Sequence, residues 1–405
     1  MTTPGIPSFS QRPSLGAYDV AVIGGATSGS AIAWFLASNP DFKGKVLVVE
    51  RDPSLSYSAT QASNNCMRQQ FATDINVKIA QFGAEFVKDF GKNVGGQNIP
   101  IRNFGYLYLA DNDEFAGTLQ EDQQLQAACG AGTKMISTPD IAAKYPFFAL
   151  DDIKAGSLNT VDEGAFDALG MVARLRKSAQ AQGVDYIHNE VTGMTLNGKK
   201  IESIALKTGE VVKVGTVVNA AGTRAANVSR LAGVDLPIEA RRRYTFIFSV
   251  DEPLPQDLPL TIDPSGVHMR SYREKDYLVG CPPTGPDTAV DVDDFSYTED
   301  IWATKMFPVL KRRVPQFSTA KVTHSWMGHY EFNTFDHNAI IGPHTDISNL
   351  MFCVGFSGHG SQQAPACGRG VAELITYGQF KTLDLSQLSY SRIPKNEPLL
   401  ERAVI

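Results

Sequence analysis

The residues whose types and spacing point most directly to chemistry are Gly24-Gly25-Ala26-Thr27-Ser28-Gly29. They follow an apolar run, Val20-Ala21-Val22-Ile23, and precede a segment with helical spacing at Ile32, Phe35 and Leu36. A strand, a glycine turn and a helix start in that order form a phosphate cradle. Gly24 permits the tight turn, Gly29 lets the helix pack on the strand, and unpaired N–H groups near Thr27 and Ser28 face an anion. The pattern departs from G-x-G-x-x-G at its middle position, where Ala26 places one methyl near the pyrophosphate. Glu50 closes the next apolar run, Val46 to Val49, about 20 residues beyond Gly29, where an acid binds ribose hydroxyls. A turn with no ligand is the plainer alternative, but strand, helix and acid together favour a dinucleotide. The loop fits FAD and NAD equally.

Other chemistries fit less well. His324, His329, His337 and His344 are irregularly spaced with no repeating acidic partner, so no metal site is expected. No serine sits on a strand-to-helix elbow, which disfavours a hydrolase. Cys66, Cys129, Cys281, Cys353 and Cys367 form no CxxC pair, as expected of reduced thiols in a cytoplasmic protein. With 43% hydrophobic and 20% charged residues, the chain of 405 reads as globular rather than disordered, coiled or collagen-like. A net charge of −6, with no basic run longer than Arg241-Arg242-Arg243, disfavours nucleic acid. Val20 to Pro40 carries no charge, but Gly24-Gly25 interrupts it, so no membrane span is expected. Residues 1–17, with Pro4, Pro7 and Pro13, lack the apolar core of a secretory signal; their want of acids and Arg12 give only a faint likeness to a transit peptide.

The elements that must position these residues follow from the pattern. Lys45 to Val49 is a continuous apolar run, the mark of a parallel strand buried on both faces, so the chain opens as βαβ in a doubly wound sheet. Gly105 to Ala110 alternates as a strand and Phe115 to Cys129 reads as a helix. Asn197-Gly198 marks a hairpin. Arg243–Val250 and Val267–Gly280 read as an antiparallel sheet, whereas Leu350–Val354 and Ala364–Tyr377 return to a buried strand and a helix. The expected class is α/β with an α+β second lobe. The cofactor lobe spans 18–100, 160–236 and 335–390, and the inserted antiparallel-sheet substrate lobe spans 101–159 and 237–334. Residues 1–17 and 391–405 are expected as tails.

Three further segments carry a resemblance. Val217-Val218-Asn219-Ala220-Ala221-Gly222 resembles the second nucleotide-side strand of two-dinucleotide-fold, Rossmann-like flavoproteins. Gly355-Phe356-Ser357-Gly358-His359-Gly360, followed by Ala364-Pro365 and Gly368-Arg369, resembles the flavin-capping turn of the glycine oxidase/sarcosine oxidase group, which is D-amino acid oxidase-like. Trp326, Gly328, Thr334, Asp336 and Ile341-Gly342-Pro343 match the same group. Arg68-Gln69-Gln70-Phe71, Asp263-Pro264-Ser265-Gly266-Val267, Asn333-Thr334-Phe335-Asp336 and Gln362-Gln363-Ala364-Pro365 resemble the branch of FAD-dependent oxidoreductase domain-containing proteins. The likeness runs from about Tyr18 to about Leu385 and implies FAD, with the reaction being oxidation of an amine beside a carboxylate. In that branch it also implies a second role, a flavin-bearing assembly protein of respiratory complex I without amine turnover.

The resemblance assigns FAD contacts to Gly24, Ala26, Thr27, Ser28, Gly29, Glu50 and Arg51, and to Ser58, Thr60, Ser63, Asn64 and Asn65. It adds Val191, Ala221, Gly222, Gly355, Gly358, His359, Gly360, Ser361 and Gln362. It places Arg68 over the flavin as a carboxylate-binding group and makes the 358–362 backbone a cap for charge developing on the ring. His359 orients that turn or titrates beside it, and Gln362 stands where sarcosine oxidases carry a carboxylate-binding lysine. Tyr244 and Arg270, with Tyr106 and His268, are candidates for the pocket wall. No cysteine lies between Trp326 and Asp336, and Gln61 replaces a flavin-linking histidine, so FAD is expected to be noncovalent. The electron acceptor is oxygen or a carrier; the missing lysine in Tyr277-Leu278-Val279-Gly280 tilts it weakly away from oxygen.

Overall fold

The computed structural model describes residues 9–297 and 300–403; Pro4 and Pro7 of the expected first tail lie outside them. Alternation along the early strands decides the first layer. Val20, Val22, Val46 and Val48 enter one apolar cluster with the helices Thr27–Ser38, Ala168–Ala181 and Gly360–Tyr377. Ala21, Ile23, Leu47 and Val49 enter a second cluster on the opposite face. Strands buried on both faces pair in parallel. Leu350–Val354, Val211–Asn219, Ala17–Ile23, Val46–Glu50 and Asp185–His188 lie side by side in that order, all parallel. Ile340–Pro343 closes one edge antiparallel. The hairpin of Val191–Asn197 and Lys200–Leu206 turns at Gly198, φ +58°, and pairs with Val211–Asn219.

The second sheet runs Lys321–Asn333, Ile238–Ser249, Asp276–Cys281, His268–Arg273, Leu260–Ile262, Tyr106–Ala110, Ala155–Asn159 and Lys134–Ser137. Seven strand pairings make it, all antiparallel except the parallel seam between Leu260–Ile262 and Tyr106–Ala110. The segments expected to be antiparallel, 243–250 and 267–280, pair that way, and the sheet adds this one parallel seam. No hairpin joins the two strands of the seam, which come from chain segments about 150 residues apart, so no tight turn dictates their direction.

Two local expectations also shift. The last long helix starts at Gly360 rather than Ala364 and carries Pro365 inside it. The segment read as a tail from residue 391 is packed through its described part: Arg392 is buried against Asp336 at 2.6 Å, and Glu401 is fully buried. Polar anchors hold that segment, and these leave no hydrophobic period in a sequence. No described helix is long and apolar enough to cross a membrane.

Candidate active site

Parallel sheets bind ligands beyond the carboxyl ends of their strands. Ile23, Glu50 and Asn219 end three adjacent strands, and a cavity of about 810 Å³ opens above them, walled on its other side by the second sheet. Gly24 has φ +98°, and a Cβ there would lie 2.4 Å from the Ala220 carbonyl. A Cβ on Gly29 would lie 1.8 Å from the Gly24 carbonyl, so the strand and helix meet as closely as two backbones can. Glu50 fixes the loop from below: its carboxylate accepts the Gly25 and Asp52 N–H groups, each at 2.8 Å. Burial raises the Glu50 carboxyl, and these two donors oppose that rise.

Gly24, Ala26, Thr27, Ser28, Glu50 and Arg51 line the cavity, as do Val191, Ala221 and Gly222. Asn219 holds the second turn, accepting the Ala221 N–H at 3.1 Å and donating to Ala225 and Ser229. Ser58, Thr60, Ser63 and Asn64 line it from a segment clamped between the layers. There Thr60 meets Thr27 at 2.7 Å, Trp326 donates to the Ala62 carbonyl at 3.0 Å, and Asn64 meets His268 Nε2 at 2.8 Å.

Gly358, His359, Gly360, Ser361 and Gln362 form the facing wall. Gly355, Ser357 and Gly358 all have positive φ, which turns the chain sharply into the 360–377 helix. Glu331 secures that turn by accepting the Gly355 N–H at 2.8 Å. Burial pushes this acid up to about 7. The helices that begin at Thr27 and Gly360 share a feature: neither has a side-chain cap or an acid in its first turn, and both starts face the cavity. A long cavity with two uncapped positive helix ends fits FAD, which carries a pyrophosphate and a ring that gains negative charge on reduction.

Four assigned residues fall outside the wall. Gly29 and Gly355 act through packing and turn geometry. Asn65, φ +53°, turns the chain with its N–H on Ser63 Oγ at 3.0 Å. Arg270 is buried behind the wall, donating to the Asn64 carbonyl at 2.7 Å and the Ser271 carbonyl at 2.9 Å. It braces the Asn64 segment instead of facing ligand.

The second-sheet side holds Arg68, Tyr106, Tyr244 and His268. Arg68 is only 2% exposed. Its guanidinium donates to Tyr108 Oη, His359 Nε2 and the Ala403 carbonyl, three neutral acceptors, which leaves two of its five N–H groups without a partner among the described residues. Burial alone would lower its pKa, but Tyr108, Tyr106, Glu401 and Glu163 outweigh burial and the net shift is upward. His359 moves the other way, well below its usual range, because it is buried and beside Arg68. Its Nε2 accepts from the Arg68 guanidinium at 2.7 Å, the role of a neutral ring. His268 is pushed down to about 4 by burial, with Arg243 adding to the effect. Burial also raises Tyr106 well above its usual value.

Several participants carried no motif. Arg176 donates to the Gly25 and Pro53 carbonyls, each at 2.9 Å, and so braces the nucleotide loop from an otherwise apolar helix face. The signal for it is an arginine in helical step with Val172 and Ala179 on the apolar face of a helix that also carries Arg174. Phe295 stacks on His329 at 4.4 Å and meets Tyr57 at a tilt, 4.8 Å between ring centres, along the cavity. Among the described residues no group of three or more His, Cys, Asp or Glu is placed to hold a metal.

Comparison with known proteins agrees with this geometry. A protein of Xenopus laevis called FAD-dependent oxidoreductase domain-containing protein 1 is 34% identical, covering 96% of this chain and 85% of its own. The mitochondrial sarcosine dehydrogenase of Mus musculus is 24% identical over 92% of this chain and 41% of its own. The L-proline dehydrogenase of P. horikoshii superposes with a TM-score of 0.81 at 25% identity, covering 97% of this chain and 100% of its own. Glycine oxidase from Geobacillus kaustophilus shares the fold, with a TM-score of 0.77 at 19% identity over 93% and 99% of the two chains. Residues 19–374 match the family model described as FAD dependent oxidoreductase, so the chain belongs to that family and is an FAD-using oxidoreductase.

Proposed function

We propose that this oxidoreductase acts on a secondary amine or amino acid with a carboxylate next to the amine, such as an N-substituted glycine. The observation that carries the proposal is Arg68, a buried cation at the cavity wall whose hydrogen-bond partners among the described residues are all neutral. Glu401 and Glu163 act on this cation only as a longer-range field, so its remaining N–H groups are left for an incoming carboxylate, whose orientation a guanidinium fixes. The names of two similar proteins, sarcosine dehydrogenase and L-proline dehydrogenase, each denote a secondary amine beside a carboxylate and support the same class.

Bound FAD would supply the hydride acceptor for the carbon next to nitrogen, giving an imine that hydrolyses in water. Arg68 holds the carboxylate, Tyr106, Tyr244 and His268 line the space for the rest of the substrate, and the 360–377 helix start faces the site of developing negative charge. Cys66 is the one cysteine lining the cavity, and burial raises its thiol, which supports noncovalent FAD. All five cysteines are free, in keeping with a reducing compartment such as the cytoplasm.

The test is an absorption spectrum before and after acid precipitation, then anaerobic titration with N-methylglycine, proline and free amino acids of both hands. Release of the colour to the supernatant and bleaching by one carboxylated amine are expected; the rate of reoxidation in air then separates oxygen from a carrier. A flavin that no amine in the panel bleaches would overturn the proposal and leave the assembly role.

A further inference from the structure

Arg68 is gripped from behind by the last described residues of the chain. Leu399 N–H donates to Asp336 Oδ2 at 3.1 Å, and the Glu401 N–H donates to the Asp336 carbonyl at 3.0 Å. The Glu401 carboxylate, fully buried, accepts from the Ala72 N–H at 2.9 Å, Thr73 Oγ1 at 3.0 Å, Asn76 Nδ2 at 2.9 Å and the Ala403 N–H at 2.9 Å. Arg402 points the other way and pairs with Asp122 at 2.6 Å and Glu121 at 3.4 Å. Between these anchors the Ala403 carbonyl receives the Arg68 guanidinium. Arg68 and His359 line the cavity, whereas Ala403 and Tyr108 lie outside its wall.

We propose that residues 399–403 are a positioning strap for Arg68, with Glu401 the inner anchor and Arg402 the outer latch, and that carboxylate recognition depends on this strap. The proposal rests on the reading above, in which Arg68 receives the substrate carboxylate. An arginine side chain has many rotamers, and fixing it needs acceptors on the side away from the ligand. A carboxylate in that position would neutralise the guanidinium and compete with the substrate. A main-chain carbonyl orients the fork and leaves its charge for the ligand. Glu401 serves the same end at one remove, because its own hydrogen bonds go to neutral donors and it contributes only a longer-range field at Arg68.

The outer latch gives the cleanest test, since Arg402 is exposed and Asp122 makes no other side-chain hydrogen bond among the described residues. Arg402→Ala and Asp122→Asn would be made in the full FAD-loaded chain, with Arg68→Lys beside them and Arg402→Lys as the conservative rescue. Binding would be read as acetate-induced change in the flavin absorption spectrum, and turnover with the amine that bleaches the flavin. Both latch variants are expected to keep FAD content and melting temperature, to weaken acetate and raise KM about tenfold, and to change kcat less than threefold; Arg402→Lys restores binding. If Arg68→Lys weakens acetate but both latch variants bind it as the parent does, the strap is wrong while the role of Arg68 stands. If Arg68→Lys leaves acetate binding untouched, the carboxylate reading itself fails, and the strap with it. Loss of FAD from one latch variant and not the other shifts the decision to the second, whose normal acetate affinity would overturn the proposal.

Discussion

The side-chain oxygen of Gln362 accepts the main-chain N–H of Arg68 at 2.7 Å. This bond joins the segment that leaves the clamped Asn64 region to the first turn of the 360–377 helix, two cavity walls almost 300 residues apart in sequence. Arg68 is thus fixed at its backbone by Gln362 and at its guanidinium by His359, both from one helix start.

Gln362 is therefore a backbone anchor, and removing it exposes the consequence. Gln362→Ala leaves the buried Arg68 N–H without an acceptor, which destabilises by roughly 1–3 kcal/mol. The expected result is a lower urea midpoint with unchanged slope and weaker substrate binding. Equal midpoints for parent and variant would show that water or a shifted backbone satisfies the amide.

The nucleotide loop separates two kinds of glycine position. Gly29→Ala drives a Cβ into the Gly24 carbonyl at 1.8 Å, so soluble, FAD-loaded protein should be lost or severely reduced. Ala26→Gly, by contrast, only removes a methyl, and FAD affinity should stay within about threefold of the parent, because the start of the helix supplies the phosphate donors. Fluorescence titration of apoprotein with FAD measures both; a large gain in Ala26→Gly would mean that the methyl does obstruct the pyrophosphate.

The loop, Glu50, the buried strands and the Asn197-Gly198 hairpin were legible because each rests on contacts between near neighbours, and periodicity or a turn residue records these directly. What brings Arg68 to Ala403, Asn64 to His268 and Arg176 to Gly25 is long-range polar contact, which leaves no period. The parallel seam at Leu260–Ile262 escaped for the same reason, since nothing in either strand names its distant partner. Arg270 shows the converse limit. Its residue type suits a carboxylate and it shares a strand face with the cavity-lining His268, yet the Asn64 segment covers it, accepting at its carbonyl at 2.7 Å, and that long-range contact leaves no period.

His359 yields a prediction about pH. A neutral imidazole far below its usual pKa contributes no transition to substrate binding near pH 6.5. The pH profile of acetate binding in the parent should therefore be flat from about pH 6 to 8 as far as this ring is concerned. His359→Gln, which keeps an acceptor for Arg68, should leave the profile's shape unchanged. A transition near 6.5 that vanishes in the variant would show that the ring is charged in the folded protein.

Glu163 makes stability, rather than binding, depend on pH. It is fully buried and accepts from the Gln69 N–H at 2.6 Å and from Gln70 and Asn159, each at 2.9 Å. Burial raises it from 4.5 to about 8, against the pull of these donors and of Arg68. Between those two values the folded chain holds a proton that the unfolded chain has released. The contribution of Glu163 is then fully present below pH 4.5 and is lost as pH rises through 8, with a slope no steeper than about 1.4 kcal/mol per pH unit. Glu163→Gln mimics the protonated acid, so the two proteins should have similar urea midpoints at pH 5 and diverge by pH 8, the variant being the more stable. Parallel midpoint curves across that range would place the Glu163 proton elsewhere, with the acid ionised in the fold and its charge balanced by Arg68.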